Sequence, residues 1–445
     1  MSKIVIIGAG SVVFSRGLIA DIVMSNELSG STIALCDIDP KGLDLTTQLA
    51  QRMVLEAEAD ITIESSTERN EILLGADYVI QTIAIGGKSA WEKDLEIPMK
   101  YGVLQTVGDT VGPGGISRAL RLIPVVLDIC HDMEDICPEA LLLNYSNPNS
   151  CVCSAIHQYS GIKAVGLCQG LYETHKELAN FLNVPIEETS ILAVGINHFN
   201  WILNFFVQGM DGLAMLRDRF DLVEIPDNMK ISANLFRVFG AYPASGDKHV
   251  AEFIPYFLSR DADHGRRYGL ELMQAYGQSP EHWEIIRNHL DGYMPVDLYL
   301  KRSNEIAISL IEALESSNWA MSALNTKDPF FKVVRYFDAV NIPNYGIVTN
   351  VPEGAILEVP AIVNNNAVRG VFIGDIPSGI ATLLTQRIYQ QNLIMESAIN
   401  GDRNLALQAL LLDPLVPSTE VAELILDELL EAQSEYLPRF FDMNE

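Results

Sequence analysis

The sequence is poor in basic residues. Its 445 residues carry 30 Lys and Arg against 58 Asp and Glu, a formal net charge of −28. Phosphate backbones and anionic lipid surfaces are recognised chiefly by Lys and Arg, so this balance argues against nucleic acid and membranes as partners. Cysteine is scarce too, with six in the chain, too few for a disulfide scaffold. Cys151 and Cys153 form a CxC pair, but no second pair stands at zinc-site spacing, so they are expected to be small buried thiols on a helix. No window holds 18 apolar residues without a charge, and the N-terminus MSKIVIIGAGS lacks the basic, apolar and small-residue regions of a signal peptide. Repeats and low-complexity linkers are absent as well. Hydrophobic content of 48% with charged content of 20% excludes a mainly disordered chain. The expectation is a soluble, acidic, cytoplasmic protein.

The first half alternates strand and helix patterns. Runs at 3–8, 31–37, 77–85, 140–146 and 163–168 and the short alternating stretch 61–66 read as strands, and 14–25, 117–134, 149–158 and 173–183 as helices, with Pro40 opening another. Strands separated by helices imply right-handed crossovers and a doubly wound parallel sheet of the Rossmann type. Beyond about residue 195 the pattern becomes mainly helical, at 229–240, 264–277, 282–290, 302–316, 378–399, 403–411 and 418–434, with strand-like runs at 346–350, 355–359 and 370–373. The predicted organisation is an α/β domain over 1–195 fused to a mainly helical α+β domain over 196–445, through a large interface.

Gly8-Ala9-Gly10-Ser11-Val12-Val13 follows the first strand and opens the first helix. Glycines there permit a tight turn and close backbone approach to a pyrophosphate, whose charge suits a helix N-terminus. The third glycine of the usual G-x-G-x-x-G is replaced by Val13. Asp37 ends the second strand, where a carboxylate bonds ribose hydroxyls and repels a 2′-phosphate, which favours NAD over NADP. A GxG that only turns the chain, and an Asp that caps the turn before Pro40, are the alternatives.

Cys168 in GLCQG, His198 in GINHF and Asn147 in NYSNPN fall at strand ends, where ligands collect in doubly wound sheets. A thiolate with an imidazole suits a divalent transition metal. A core thiol and a hydrogen-bonded core histidine are the plain alternatives, and spacing alone does not bring the two together. The four Trp residues read mainly as core, and Arg266-Arg267 as a solvated pair or a clamp for a uronate carboxylate.

The segments IGAGSVVFSRGL (7–18), LCDIDP (35–40), QTVGDTVGPGGISRALRLIP (105–124), LNYSNP (143–148), GLCQG (166–170), GINHFNW (195–201), YPASGDKHVAEFIPYF (242–257) and NIPNYGIV (341–348) occur in order along the chain. Together they resemble glycoside hydrolase family four, nearest its α-galacturonidase branch with α-galactosidases next. The resemblance implies hydrolysis of α-glycosides through NAD-dependent oxidation at sugar C3, loss of the C2 proton, elimination at C1 and return of the hydride. It places Gly8, Gly10 and Ser11 at the pyrophosphate, Asp37 at the ribose, Cys168 and His198 on Mn²⁺, and Asn147 beside sugar or metal. It also implies Asp247 as the C2 base, with Lys248 and His249 orienting substrate charge and Asp109 a second candidate. An N-cap role for Asp247 and a turn role for Asp109 stand beside these. Where many α-acting relatives have His after the ligand Cys, this chain has Gln169, which supplies no proton at neutral pH. Relatives assemble as homodimers or homotetramers. A malate- or lactate-type dehydrogenase and a non-catalytic NAD sensor are the competing readings.

Overall fold

Six short apolar runs build the parallel half of one sheet: β1 (Lys3–Ile7), β2 (Thr32–Cys36), β3 (Thr62–Ser66), β4 (Tyr78–Gln81), β5 (Leu141–Asn144) and β6 (Ala164–Gly166). They lie in the order β3-β2-β1-β4-β5-β6, the Rossmann order expected from the sequence. Alternation along β1 explains its unbroken apolar run. Ile4 and Ile6 enter one hydrophobic core and Val5 and Ile7 the other, so both faces are covered by helices. The computed structural model describes residues 1–273, 280–303, 305–323, 334–364 and 367–441.

The sheet does not end at β6. Asn341 of β11 (Arg335–Pro343) pairs antiparallel with Gly166. Next to β11 come β12 (Ile356–Asn364), β7 (Thr189–Ile196), β8 (Phe199–Val207) and β10 (Tyr242–Ala244), with β9 (Met210–Asp211) on β8 and β13 (Ala367–Gly370) on β12. One 13-stranded sheet therefore runs through both halves, and the expected division at 195/196 falls inside the β7–β8 hairpin.

The second half departs from expectation in several places, among them the helix Gly212–Leu222, which corresponds to no expected element, and the expected strand 370–373, of which only Gly370 lies in a strand. Strands β8 and β11 correspond to no expected element, and β7 only to the apolar run before His198, because apolar runs of this kind do not separate strand from buried helix by period. Residues 346–350, expected as a strand, form a loop organised by Asn344, whose side chain bonds both the N–H and the C=O of Val348. Residues 260–268, which overlap the expected helix 264–277, form a 3₁₀ stretch broken by left-handed Asp263, His264 and Gly265. Of the remainder of that helix, 269–273 is not helical and 274–277 lies outside the described residues. In the first half the helix Gly87–Lys100 was likewise not expected.

Candidate active site

The carboxyl ends of the parallel strands carry the glycine loop. The N–H groups of Gly8 and Ala9 donate to Cys36 O at 2.9 and 3.0 Å, which folds the loop over the end of β2. Gly8 has φ 92°, and a Cβ there would lie 2.7 Å from Thr82 Oγ1. A Cβ on Gly10 would lie 2.7 Å from Asp37 Cγ. Asp37 takes the Gly10 N–H on Oδ2 at 2.7 Å and the Asp39 N–H on Oδ1 at 2.8 Å. Ser11 directly precedes the helix Val12–Val23. Loop, acidic strand end and helix N-terminus thus come together as a dinucleotide cradle requires.

On the other side of β6 a cavity of about 750 Å³ opens, with Cys168, Gln169, His198, Lys248 and His249 on its wall. A cluster assembled from distant stretches reaches this wall through His198 and His249. His198 sits in the two-residue turn between β7 and β8 at φ 64°, a left-handed conformation uncommon outside glycine. His249 comes from the short helix Asp247–Phe253 and Asp109 from the glycine-rich loop before the helix Gly112–Ile136. The two imidazole rings are tilted by 33° with their centroids 4.0 Å apart. Asp109 Oδ1 lies 3.8 Å from Nδ1 of each histidine.

One ligand atom from each of Asp109, His198 and His249 lies within 4.8 Å of the others, the only such set of three metal-binding side chains among the described residues. Thr110 Oγ1 donates to Asp109 Oδ1 and lies 2.7 Å from His198 Nδ1. That hydroxyl has one proton, so His198 Nδ1 is the donor to it and Nε2 keeps the lone pair. Burial lowers the pKa of both histidines, with Lys248 adding to the effect, so both are neutral near neutral pH. Burial also opposes charge on Asp109, but His198, His249 and Arg118 outweigh it and hold the carboxyl below its usual range. Asn147 Nδ2 donates to Asp109 Oδ2 at 2.9 Å. His249 Nδ1 is buried without a hydrogen-bond partner. One carboxylate, two neutral imidazoles and a buried orphan nitrogen fit a divalent cation.

Cys168 shares the cavity wall with His198 but is not part of that three-residue set. Its Sγ accepts the Gly170 N–H at 3.3 Å, and burial pushes its thiol up to about 12. Asp247, expected as a base, faces elsewhere. Both its oxygens are held on the N-terminus of the helix Lys230–Phe239, by Ile231 N–H at 2.6 Å and by Ser232 N–H and Oγ at 2.8 and 2.6 Å. Its carboxylate caps that helix, not its own, and is absent from the cavity wall. Gln169 heads the helix Gly170–Leu182, and Glu177 on the same helix lines the same cavity. Burial and the Asp247 charge push Glu177 to about 7, and Asn228 Nδ2 donates to it.

Arg266 and Arg267 are exposed in the 3₁₀ stretch, with Arg266 3.6 Å from Asp263 Oδ1, so they form a solvated pair and no part of the cavity wall. Trp201 is fully buried in β8, and Trp91 bonds Val107 O through Nε1 at 2.7 Å beneath Arg118. The side chains of Trp283 and Trp319 lie outside the described residues. Cys151 and Cys153 are buried thiols on the helix Asn149–Tyr159. Sequence reasoning passed over Thr110 and Glu252. The signal for Glu252 was its three-residue spacing from His249, which puts both on one helical face.

Residues 3–184 match the model of the family 4 glycosyl hydrolases, and residues 193–416 match that of their C-terminal domain. The chain is a family 4 glycosyl hydrolase. It is 32% identical over 452 residues to an alpha-galactosidase of Bacillus subtilis, covering 99% of this chain and 100% of that one. It is 31% identical over 466 residues to an alpha-galacturonidase of Thermoanaerobacterium saccharolyticum, covering 97% and 95%. Bacillus subtilis lplD superposes with a TM-score of 0.80 at 28% identity, over 97% of this chain and 100% of that chain. The 6-phospho-beta glucosidase of Thermotoga maritima, solved with manganese, NAD+ and glucose-6-phosphate, shares the fold at TM-score 0.77 and 23% identity, over 98% and 99%. As a family 4 enzyme the chain is a glycosidase, not a malate- or lactate-type dehydrogenase. No described helix of this glycosidase is long and apolar enough to cross a membrane.

Proposed function

We propose that this family 4 glycosidase cleaves α-linked glycosides with NAD and Mn²⁺, acting on α-galacturonides first and neutral α-galactosides second. The observation that carries the reading is the Asp109–His198–His249 cluster, set in a cavity at the same sheet ends as the glycine cradle. Gly8, Gly10 and Ser11 would hold the pyrophosphate of NAD and Asp37 its adenosine ribose. Asp109 and His198 would hold Mn²⁺, with His249 and Cys168 completing the ligand shell. When bound, NAD would supply a hydride acceptor and donor for sugar C3, and Mn²⁺ would supply positive charge to stabilise the neighbouring sugar oxygens. This chain's residues prepare that chemistry. Asn147 orients Asp109 and stands beside the sugar. Lys248 brings a positive charge to the cavity wall, which favours a uronate carboxylate over a neutral hydroxymethyl group.

The leaving oxygen needs a proton that Gln169 does not carry. Glu177, pushed up to about 7 by burial and the Asp247 charge, keeps a proton in about half the molecules at neutral pH on the same wall, so we assign the acid to it. The capping bonds of Asp247 argue for a positioning role, setting the helix that carries Lys248 and His249. We further propose a homodimer or homotetramer in the cytoplasm, where the Cys168 thiol stays reduced; a monomer mass in sedimentation at micromolar concentration would reject that assembly.

The test is hydrolysis of a panel of aryl α-glycosides (galacturonide, glucuronide, galactoside and glucoside) with NAD, Mn²⁺ and thiol reductant. Turnover should need both cofactors, leave NADH flat, and slow or wash out label when C2 carries deuterium. Full turnover with retained C2 label would overturn the elimination route.

A further inference from the structure

Glu252 is a buried carboxyl group, pushed up to about 8 chiefly by burial, that neither the cofactor cradle nor the metal cluster contains. It lies one turn beyond His249 and is 1% exposed. Its Oε1 accepts the N–H groups of both Val107 and Gly108, each at 2.9 Å. Its Oε2 has no hydrogen-bond partner. The same stretch is gripped from the other side, where Trp91 Nε1 donates to Val107 O at 2.7 Å. Gly108 has φ 62°, and a Cβ there would meet Leu95 Cδ2 at 2.6 Å, so this turn admits no side chain. The next residue is Asp109.

We propose that Glu252 is a positioning residue that fixes the Val107–Gly108 backbone and thereby sets the Asp109 carboxylate against the two histidines. One short helix then places two members of the cluster: His249 directly, and Asp109 through the peptide groups that Glu252 holds. The inference rests on the metal-site reading above. Replacing Glu252 by Ala leaves two buried N–H groups without an acceptor, and the loop turns to recover them. A glutamine keeps one carbonyl oxygen for both donors. Because Oε2 bonds to nothing, an amide nitrogen in its place costs no existing bond.

The experiment measures Mn²⁺ and NAD affinity separately on the purified full chain, Mn²⁺ by electron paramagnetic resonance of the free ion and NAD by fluorescence quenching. Glu252→Ala should weaken Mn²⁺ binding about tenfold or more, the range seen when groups that orient a metal ligand are lost. NAD affinity should not move, and Glu252→Gln should restore Mn²⁺ binding. Glu252→Asp, which withdraws the oxygens by one methylene, should behave as Ala does and covers the case in which Ala does not fold. Wild-type Mn²⁺ affinity in both the Ala and Asp variants would overturn the proposal. So would loss of NAD binding in parallel with Mn²⁺, which marks general damage to the fold. Absence of Mn²⁺ binding in the wild type would instead remove the metal-site reading, and this inference with it.

Discussion

The cofactor cradle and the sugar cavity sit at the same end of one sheet but are built differently. The cradle is nearly all local: Gly8, Gly10 and Ser11 are consecutive or nearly so, and Asp37 closes the neighbouring strand through the Gly10 N–H. The cavity takes Cys168, His198 and His249 from three separate stretches, Asp109 and Asn147 join the cluster from two more, and the helix 247–253 is tied to the loop before residue 112. A local motif keeps its geometry through hydrogen bonds within one turn. An assembled cluster depends on every element that carries a member, so damage to the two should be separable.

The largest expected effect tests that separation. His198→Ala should cut kcat/KM by roughly a thousandfold, about 4 kcal/mol of lost transition-state stabilisation, while NAD binds as before. A parallel fall in NAD affinity, read by fluorescence, would show that the two sites are one. The converse variant is Gly10→Ala, whose new methyl group meets Asp37 Cγ at 2.7 Å. It should weaken NAD by about a hundredfold, near 3 kcal/mol, and leave Mn²⁺ affinity intact.

A smaller effect decides which residues hold the metal. The Cys168 thiol is pushed up to about 12 by burial, so it is protonated at neutral pH and must lose a proton to ligate. The histidines are lowered, chiefly by burial, and are already neutral. Mn²⁺ affinity should therefore rise about tenfold per pH unit between pH 7 and 9 if Cys168 is a ligand. A flat profile by calorimetry would leave Asp109, His198 and His249 as the set.

A further effect, confined to one class of substrate, concerns the leaving group. Glu177→Gln should slow an alkyl α-glycoside roughly a hundredfold, within the usual worth of a general acid, and leave a nitrophenyl glycoside almost unchanged. Equal loss on both substrates would take the acid role from Glu177.

The same contrast explains what was legible in the sequence. The cradle could be read because its residues are neighbours and because a strand buried on both faces is apolar throughout, as β1 is. The parallel order followed from the alternation of strand and helix. The cavity was legible only in part. His198, Cys168 and Asn147 stood out by type, but the partnership of Asp109 with His249 arises from tertiary folding. Asp247 shows the same limit from the other side. An acidic residue at a helix start reads as a cap for its own helix or as a catalytic group, and here it caps a different helix, whose N-terminus arrives 17 residues earlier in the chain, at Lys230. Long-range satisfaction of backbone N–H groups leaves no local pattern.

The β6–β11 seam has a consequence for how the chain is made. Gly166 waits for Asn341, 175 residues downstream, before the open edge of the parallel sheet is covered. At the roughly 5–20 residues per second of translation, that edge stays bare for about 10–35 s on the ribosome. An unpaired strand edge is a template for another chain. Nascent copies on one messenger are therefore exposed to edge-to-edge pairing during that interval, and slower elongation between codons 167 and 341 lengthens it in proportion. Soluble yield should then depend on the pace of synthesis across this stretch and on chaperone supply, even where the finished fold is unchanged.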